Sequence, residues 1–319
     1  MDQEKTVPRV LIMGGAGTMG SGIALMYAAK GFPTTIVDRE SALLEQALQR
    51  ISANGEMLVR EGLLSEEEAR AISLNLSCAT EDDLAQIAPE ADFVVESVFE
   101  NPDVKRAVYQ TLDRFCRADC IFCSNTSGSN IFEIASISHP ERFLITHWFN
   151  PPFVMGVVEV VMGPETSEET LETVKQVLAV LGKKAAVIRQ YIPGFIVNRL
   201  MNALMREVAY MVEQGVTTPE DIDEAMRSVN GIRFAFEGPV ALYDVVGWDL
   251  IQSVAVDLHT SLANDTEGGN HLAARYIKEG RLGLKSGRGA YDYSSINSKE
   301  YMEERAKKII KMMRFVKSL

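Results

Sequence analysis

RVLIMGGAGTMGSGIA, residues 9–24, passes from a short apolar run into glycines and then into small and apolar residues. Val10–Met13 is β-rich and brief enough for a buried strand, and Met19–Ala29 carries apolar residues at helical spacing. Between them Gly15, Gly17 and Gly20 form G-x-G-x-x-G. In a strand–turn–helix unit the first glycine allows the tight turn and the second lets backbone approach a pyrophosphate. The third lets the helix pack closely on the strand. Amides of the opening helical turn, at Thr18 and Met19, then face the phosphates. Glycines also punctuate ordinary turns, so the triplet needs context. The next strand, Thr34–Asp38, ends on a carboxylate 18 residues after Gly20, where a dinucleotide site holds a ribose hydroxyl. Asp38 opposes a 2′-phosphate and points to NAD over NADP, although Arg39 beside it pulls the other way.

Working outward, β-rich runs at 93–96, 121–125 and 143–149 alternate with helical patterns at 40–60, 65–71 and 104–114. Such alternation predicts a doubly wound, mostly parallel α/β sheet of the Rossmann type. A further strand pair, 157–161 and 185–188, flanks a helix at 167–181. Past Pro193–Gly194 strand signals nearly vanish, and helical patterns follow at 195–213, 219–228, 239–246, 248–263 and 271–279. The expected organisation is a nucleotide-binding domain over 1–190, an all-α domain over 191–293 and a helical tail over 294–319. From Lys299 the tail carries seven Lys/Arg against three Glu, with an apolar stripe at Ile309–Met313. It reads as a surface helix packed by that stripe.

Across 319 residues, 46% hydrophobic and 24% charged, the balance is that of a globular protein with room for two domains. Thirty-two Lys and Arg against 44 Asp and Glu give a net charge of −12, which disfavours nucleic acid and anionic membrane as partners. The amino terminus has no secretory pattern and no apolar run reaches membrane-spanning length, so the chain reads as cytoplasmic. Cys120 and Cys123 form a C-x-x-C, but no second Cys or His pair lies at zinc spacing. Reduced core thiols and no metal are expected.

Of four histidines, His139, His259 and His271 are accounted for by surface or core packing. His147 differs, because it falls near the end of FLITHWF, at the carboxyl edge of the expected parallel sheet where ligands bind. Twelve residues on, Glu159 interrupts the apolar run VVEVV, and an isolated carboxylate in a buried strand is costly unless paired. The intervening NPPFVMG can reverse the chain and return Glu159 to His147. A carboxylate so placed fixes the imidazole tautomer and favours a general base. From these residues alone, a structural ion pair and a catalytic pair stand level.

SNTSGSN, HWFNPPFVMGVVEVV, PGFIVNRL, FEGPVALYDVVGWD and RLGLKSGRGAYDY follow in this order. With the glycine motif they resemble the L-3-hydroxyacyl-CoA dehydrogenase family over roughly residues 8–293. The resemblance implies His147 as catalytic base and Glu159 as the carboxylate that orients it. It also implies Ser127 and Asn198 as hydrogen-bonding groups around the substrate's hydroxyl and carbonyl. Gly15, Gly17, Thr18, Met19, Gly20 and Asp38 then hold NAD, while Glu100, Lys105, Asn125, Ser127, Asn150 and Lys285 fall on its nicotinamide side. A homodimer through the helical domain, a small-molecule substrate and fatty acid metabolism follow from the same likeness.

Some positions depart from the family's CoA-using members. A lysine cluster common after the second strand is replaced by LEQALQRISANGEMLVREG, whose only cations are Arg50 and Arg60. Gly156 and Gly128 stand where a lysine and a serine are usual, and Trp148 gives HWFNPP in place of HFFNP. Arg233, just before the Gly-Pro pair at 238–239, could hold a carboxylate in a bidentate manner. It could equally sit at a helix terminus or a dimer contact. Two enzyme readings follow: oxidation of an L-3-hydroxyacyl-CoA, or of a free 3-hydroxy carboxylate as in relatives resembling carnitine or gulonate dehydrogenases. A non-catalytic NAD-binding protein is disfavoured by His147, Glu159, Ser127 and Asn198 occurring together.

Overall fold

A computed structural model describes residues 7–264 and 271–318. The chain divides into two units between Asn198 and Arg199, a few residues past Pro193–Gly194.

The first unit is an eight-stranded sheet. Along the chain come β1 (Val10–Met13), α1 (Thr18–Ala29), β2 (Thr34–Asp38), α2 (Ser41–Arg60), α3 (Glu66–Asn75) and β3 (Leu76–Thr80). There follow α4 (Leu84–Ile87), β4 (Phe93–Glu96), α5 (Pro102–Phe115), β5 (Ile121–Ser124), α6 (Ile131–Ile134) and β6 (Phe143–Trp148). β7 (Val157–Met162), α7 (Glu168–Val180), β8 (Lys184–Ile188) and the start of α8 (Val197–Glu213) complete it. The strands lie in the order β3-β2-β1-β4-β5-β6-β7-β8. Six run parallel; β7 pairs antiparallel with β6, and β8 runs parallel to β7. Strand order reverses at β1/β4, and ligands of open α/β sheets bind beyond the carboxyl ends at such a point.

Alternation along the strands supplies two cores. Val10 and Ile12 face a cluster with Ile23, Leu25, Ile36 and Leu171, whereas Leu11 and Met13 face one with Val37, Val94, Tyr109 and Leu112. Both faces are therefore covered, as parallel sheets require. Cys123 joins the first cluster and Cys120 the second, so the C-x-x-C straddles the sheet. All four cysteines are free, and burial pushes the Cys123 thiol up to about 12. No metal-holding group of His, Cys, Asp or Glu occurs among the described residues.

β3 was not expected. LSCAT is half-exposed along the sheet edge and lacks both alternation and β-branched density, so its pairing to β2 is set by the neighbour rather than by its own pattern.

The second unit is helical: after α8 come α9 (Pro219–Ser228), α10 (Asn230–Arg233), α11 (Pro239–Val246), α12 (Trp248–Leu258), α13 (His271–Lys278) and α14 (Ser298–Ser318). Its described β structure is two isolated bridges, Gly283–Arg288 and Arg288–Asp292.

Candidate active site

The loop from β1 to α1 is held where the strand order reverses. Gly14, not Gly15, makes the left-handed turn, with φ 73°. A Cβ on Gly14 would lie 2.6 Å from the Ser97 carbonyl oxygen, so this position needs glycine twice over. Gly15 is instead excluded from carrying a side chain by Ile36, whose Cβ would be 2.5 Å away. At Gly20 a Cβ would come within 2.3 Å of the Gly14 carbonyl oxygen, the close helix-on-strand approach expected there. Gly17 is open apart from that same oxygen at 3.2 Å. Thr18 and Met19 open α1, whose first amides have no acceptor within the helix. The Asp38 carboxylate accepts from the Ala16 amide at 3.1 Å and from the Arg39 amide at 2.9 Å. A cradle of this shape, with a carboxylate at its rim, fits a dinucleotide.

Sequence reasoning passed over Arg50 here. From α2 its guanidinium donates to the Ala16 carbonyl at 2.5 Å and to Ser21 Oγ at 3.1 Å, tying α2 to the glycine loop.

His147 and Glu159 face each other directly in the antiparallel register of β6 and β7, so NPPFVMG does return the chain. His147 Nδ1 lies 2.7 Å from Glu159 Oε2. Both residues are buried. The second carboxylate oxygen accepts from the Ile196 amide at 2.9 Å and the Val197 amide at 2.8 Å. Burial pushes the Glu159 carboxyl up, but the bonds from His147, Val197 and Ile196 outweigh it and leave it below the usual carboxylate range. The imidazole packs at 4.6 Å from the Phe149 ring and 5.5 Å from the Phe195 ring, centroid to centroid.

Those two amides reach Glu159 through an unusual backbone. Gly194 has φ 80° and Phe195 φ 53°, the latter a bulky residue in the left-handed region. Pro193–Gly194 marked a break in the sequence, but nothing in it announced that Phe195 would share the strain.

Asn125 spans two loops: its Nδ2 donates to Ser97 Oγ at 3.2 Å and its Oδ1 accepts the Trp148 amide at 2.9 Å. Asn198 Nδ2 donates to the Ser127 carbonyl at 3.0 Å, joining the start of α8 to the loop after β5. Glu100 Oε1 accepts from Thr126 Oγ1 and Ser129 Oγ, each at 2.5 Å. Asn150 precedes Pro151 across a cis peptide bond. Lys105, expected on the nicotinamide side, is buried; its Nζ donates to the buried Glu96 at 2.7 Å and lies 3.8 Å from Glu100 Oε2. Arg233 ends α10 and Lys285 lies in a 3₁₀ turn, Leu284–Ser286, both in the second unit. Trp148 is buried against Tyr27, with Lys183 Nζ 5.7 Å above its ring, so packing accounts for it. His139 pairs with Glu141 at the surface, and the side chain of His271 lies outside those described.

Comparison with known proteins gives two matches in tandem. The model described as 3-hydroxyacyl-CoA dehydrogenase, NAD binding domain, covers residues 10–191, and that of the C-terminal domain covers 194–293. A probable 3-hydroxybutyryl-CoA dehydrogenase of Bacillus subtilis is 36% identical over 289 residues, 90% of this chain and 98% of that one. Among solved structures, the 5-formyl-3-hydroxy-2-methylpyridine 4-carboxylic acid 5-dehydrogenase, an NAD⁺-dependent dismutase, matches with TM-score 0.88 at 32% identity. It covers 98% of this chain and 99% of its own. The (S)-3-hydroxybutyryl-CoA dehydrogenase of Ralstonia eutropha matches with TM-score 0.73 at 31% identity, over 90% and 99%.

Proposed function

The chain belongs to the 3-hydroxyacyl-CoA dehydrogenase family of NAD-dependent oxidoreductases, and from that premise we propose that it oxidises the 3-hydroxyl of an L-3-hydroxyacyl-CoA to the keto product, reversibly. The observation that carries this reading is the buried His147–Glu159 pair at the carboxyl edge of the sheet. NAD held in the glycine cradle would supply the hydride acceptor for carbon 3. His147 Nε2 takes the hydroxyl proton, since Glu159 holds the proton on Nδ1 and stabilises the imidazolium that forms. Ser127 and Asn198 orient the reacting oxygen, and their mutual hydrogen bond supports a joint role. Gly15, Gly17, Thr18, Met19, Gly20 and Asp38 hold the adenosine and pyrophosphate half, with Asn125, Glu100, Asn150 and Lys285 toward the nicotinamide.

A second reading, a free carboxylate as substrate, is favoured by the TM-score of 0.88 to an enzyme of a free pyridine acid against 0.73 to a CoA enzyme. Arg233 is the residue that would clamp such an acid. We extend the proposal to a homodimer through the helical unit, supported by Leu200, Met201, Val240, Trp248 and Val254, all large, apolar and exposed. Sedimentation as a monomer would refute that part. Cytoplasmic placement and a role in fatty acid metabolism complete the reading; no described helix is long and apolar enough to cross a membrane.

The test follows NADH oxidation with acetoacetyl-CoA and with acetoacetate, on wild type, His147→Ala and Arg233→Ala. His147→Ala should lose about 10²–10⁴-fold in turnover while binding NADH normally. An active His147→Ala enzyme ends the assignment. Turnover of the free acid alone, abolished in Arg233→Ala, replaces the CoA reading with the second.

A further inference from the structure

Helix α1 makes a close approach outside the glycine motif. Gly22 lies two residues past Gly20, inside the helix and buried. Glycine within a helix is less stable than alanine, so the position needs a reason. Left-handed backbone is not that reason, because Gly22 keeps a negative φ. A Cβ on Gly22 would lie 2.5 Å from Pro152 Cγ, 3.1 Å from Pro152 Cδ and 3.3 Å from Phe153 Cδ1. Both neighbours belong to the loop between β6 and β7, residues 149–156. Helix and loop therefore meet with no room for a side chain at Gly22.

The loop cannot yield locally. Pro152 is buried, and its ring has no rotamer that swings aside. The Pro151 carbonyl accepts the amides of Val154 and Met155, each at 3.0 Å. Beyond them, the Met155 carbonyl accepts Lys183 Nζ at 2.7 Å, and the Gly156 carbonyl accepts the Lys184 amide at 2.8 Å. Val154 is buried and Phe153 packs on the first core cluster. Just before the loop, Trp148 is held through its amide by Asn125 and through its ring by Tyr27 of α1. With both ends anchored, a push at Pro152 falls on the residues between, Phe149 and Asn150.

Those two residues and the start of α1 stand on opposite halves of the cofactor cleft. On the reading above, Thr18 and Met19 offer amides to the pyrophosphate, while Asn150 stands toward the nicotinamide. Phe149 packs on the His147 ring at 4.6 Å. We propose that Gly22 and Pro152 form a positioning contact that sets the spacing between the pyrophosphate half and the nicotinamide half of the site. The proposal rests on the placement of Asn150 at the nicotinamide. One dinucleotide must engage both halves at once, so its affinity depends on their separation; a ligand of the pyrophosphate half alone is indifferent to it. A side chain at 22 displaces the loop and leaves the amides of α1 where they are.

Two ligands separate the halves without any substrate. ADP reaches only the adenosine and pyrophosphate side, whereas NADH reaches both. Dissociation constants follow from NADH fluorescence and from calorimetry with ADP. Gly22→Ala puts a methyl into the contact and should weaken NADH about tenfold while ADP stays within about twofold. Pro152→Ala removes Cγ and Cδ and leaves a gap, which should weaken NADH about threefold and leave ADP unchanged. In the double variant the new methyl takes the space of the lost ring atoms, so NADH should bind more tightly than to either single variant. Several results overturn the proposal. Equal losses of ADP and NADH in Gly22→Ala mean damage to α1 itself, and wild-type NADH affinity means that the contact sets nothing. A double variant that does not fold, or is no better than Gly22→Ala, means that Pro152 is not what Gly22 makes room for. If Gly22→Ala alone does not fold, adding it to Pro152→Ala still decides: NADH affinity should improve, and a further loss refutes the contact. A wild type that reduces no 3-keto substrate would refute the proposed reaction and leave these ratios readable.

Discussion

Glu159→Gln is close to isosteric, and the local geometry dictates what it does to His147. In the wild type Oε1 accepts two backbone amides, from Ile196 and Val197, at 2.9 and 2.8 Å, while Oε2 faces His147 Nδ1 at 2.7 Å. A glutamine has one acceptor and one donor end. Two fixed N–H donors claim its oxygen, because turning the amide would set N–H against N–H in a buried site and cost about 1–3 kcal/mol for each unsatisfied group. The NH₂ end must then meet His147 Nδ1, which can accept only if the imidazole proton sits on Nε2. That is the wrong tautomer for taking a proton from substrate. The same carboxylate-to-amide change in a Ser-His-Asp triad lowers turnover by about 10⁴, and a loss of about 10³–10⁴ is expected here. Stopped-time NADH assays give the turnover, and fluorescence titration gives NADH affinity, which should stay within about twofold because the retained shape leaves the glycine loop untouched. Turnover within tenfold of wild type would refute the tautomer argument; a parallel collapse of NADH binding would mean damage to the fold instead.

The Glu159 carboxyl lies below its ordinary value, so its ionised form contributes stability that is present above about pH 4.3 and is lost as pH falls through the depressed value. The thermal midpoints of wild type and Glu159→Gln should therefore converge on acidification; a gap that stays constant from pH 7 to about pH 3 contradicts this. Arg50→Ala removes the guanidinium from the Ala16 carbonyl and Ser21, and should raise the KM for NAD about tenfold with kcat within about twofold. An unchanged KM would mean that the glycine loop holds its shape without α2. Glu56→Lys/Glu61→Lys, on and just after α2, should lower the KM for acetoacetyl-CoA and leave that for acetoacetate unchanged if CoA phosphates pass this helix; equal effects on both substrates would sink that route.

The sheet was legible where its residues report on burial. β1, β2, β4, β6 and β7 are apolar runs because both faces are covered, and the antiparallel return of β7 follows from a carboxylate that could not stay unpaired. β3 reports little, since an edge strand half in solvent needs no apolar pattern. Asp38 and the glycines mark the cofactor cleft because close backbone approach demands particular residue types, although the left-handed turn moved one place, to Gly14. The amides of Ile196 and Val197 carry no such mark, as every residue but proline has an N–H. Glu96 was legible by the rule that found Glu159: FVVE, like VVEVV, puts a carboxylate in an apolar strand. Its partner Lys105 was assigned from likeness to a family, which transfers a position but not the surface charges around it.

That distinction bears on the net charge of −12. Over α2 and α3, six glutamates at 45, 56, 61, 66, 67 and 68 face three arginines at 50, 60 and 70. Arg50 is already engaged by the glycine loop, and Arg70 lies 3.9 Å from Glu66. Of these three, Arg60 alone makes neither an ion pair nor a loop contact among the described residues, amid an excess of negative charge that a CoA phosphate would have to approach. A free hydroxy acid brings a single carboxylate and meets far less of that field. Membership of the family fixes the hydride chemistry, because His147 and Glu159 depend on the sheet. Substrate choice depends instead on surface charges that the sheet does not constrain, which is why the charge-reversal pair on this helix separates the two proposed substrates.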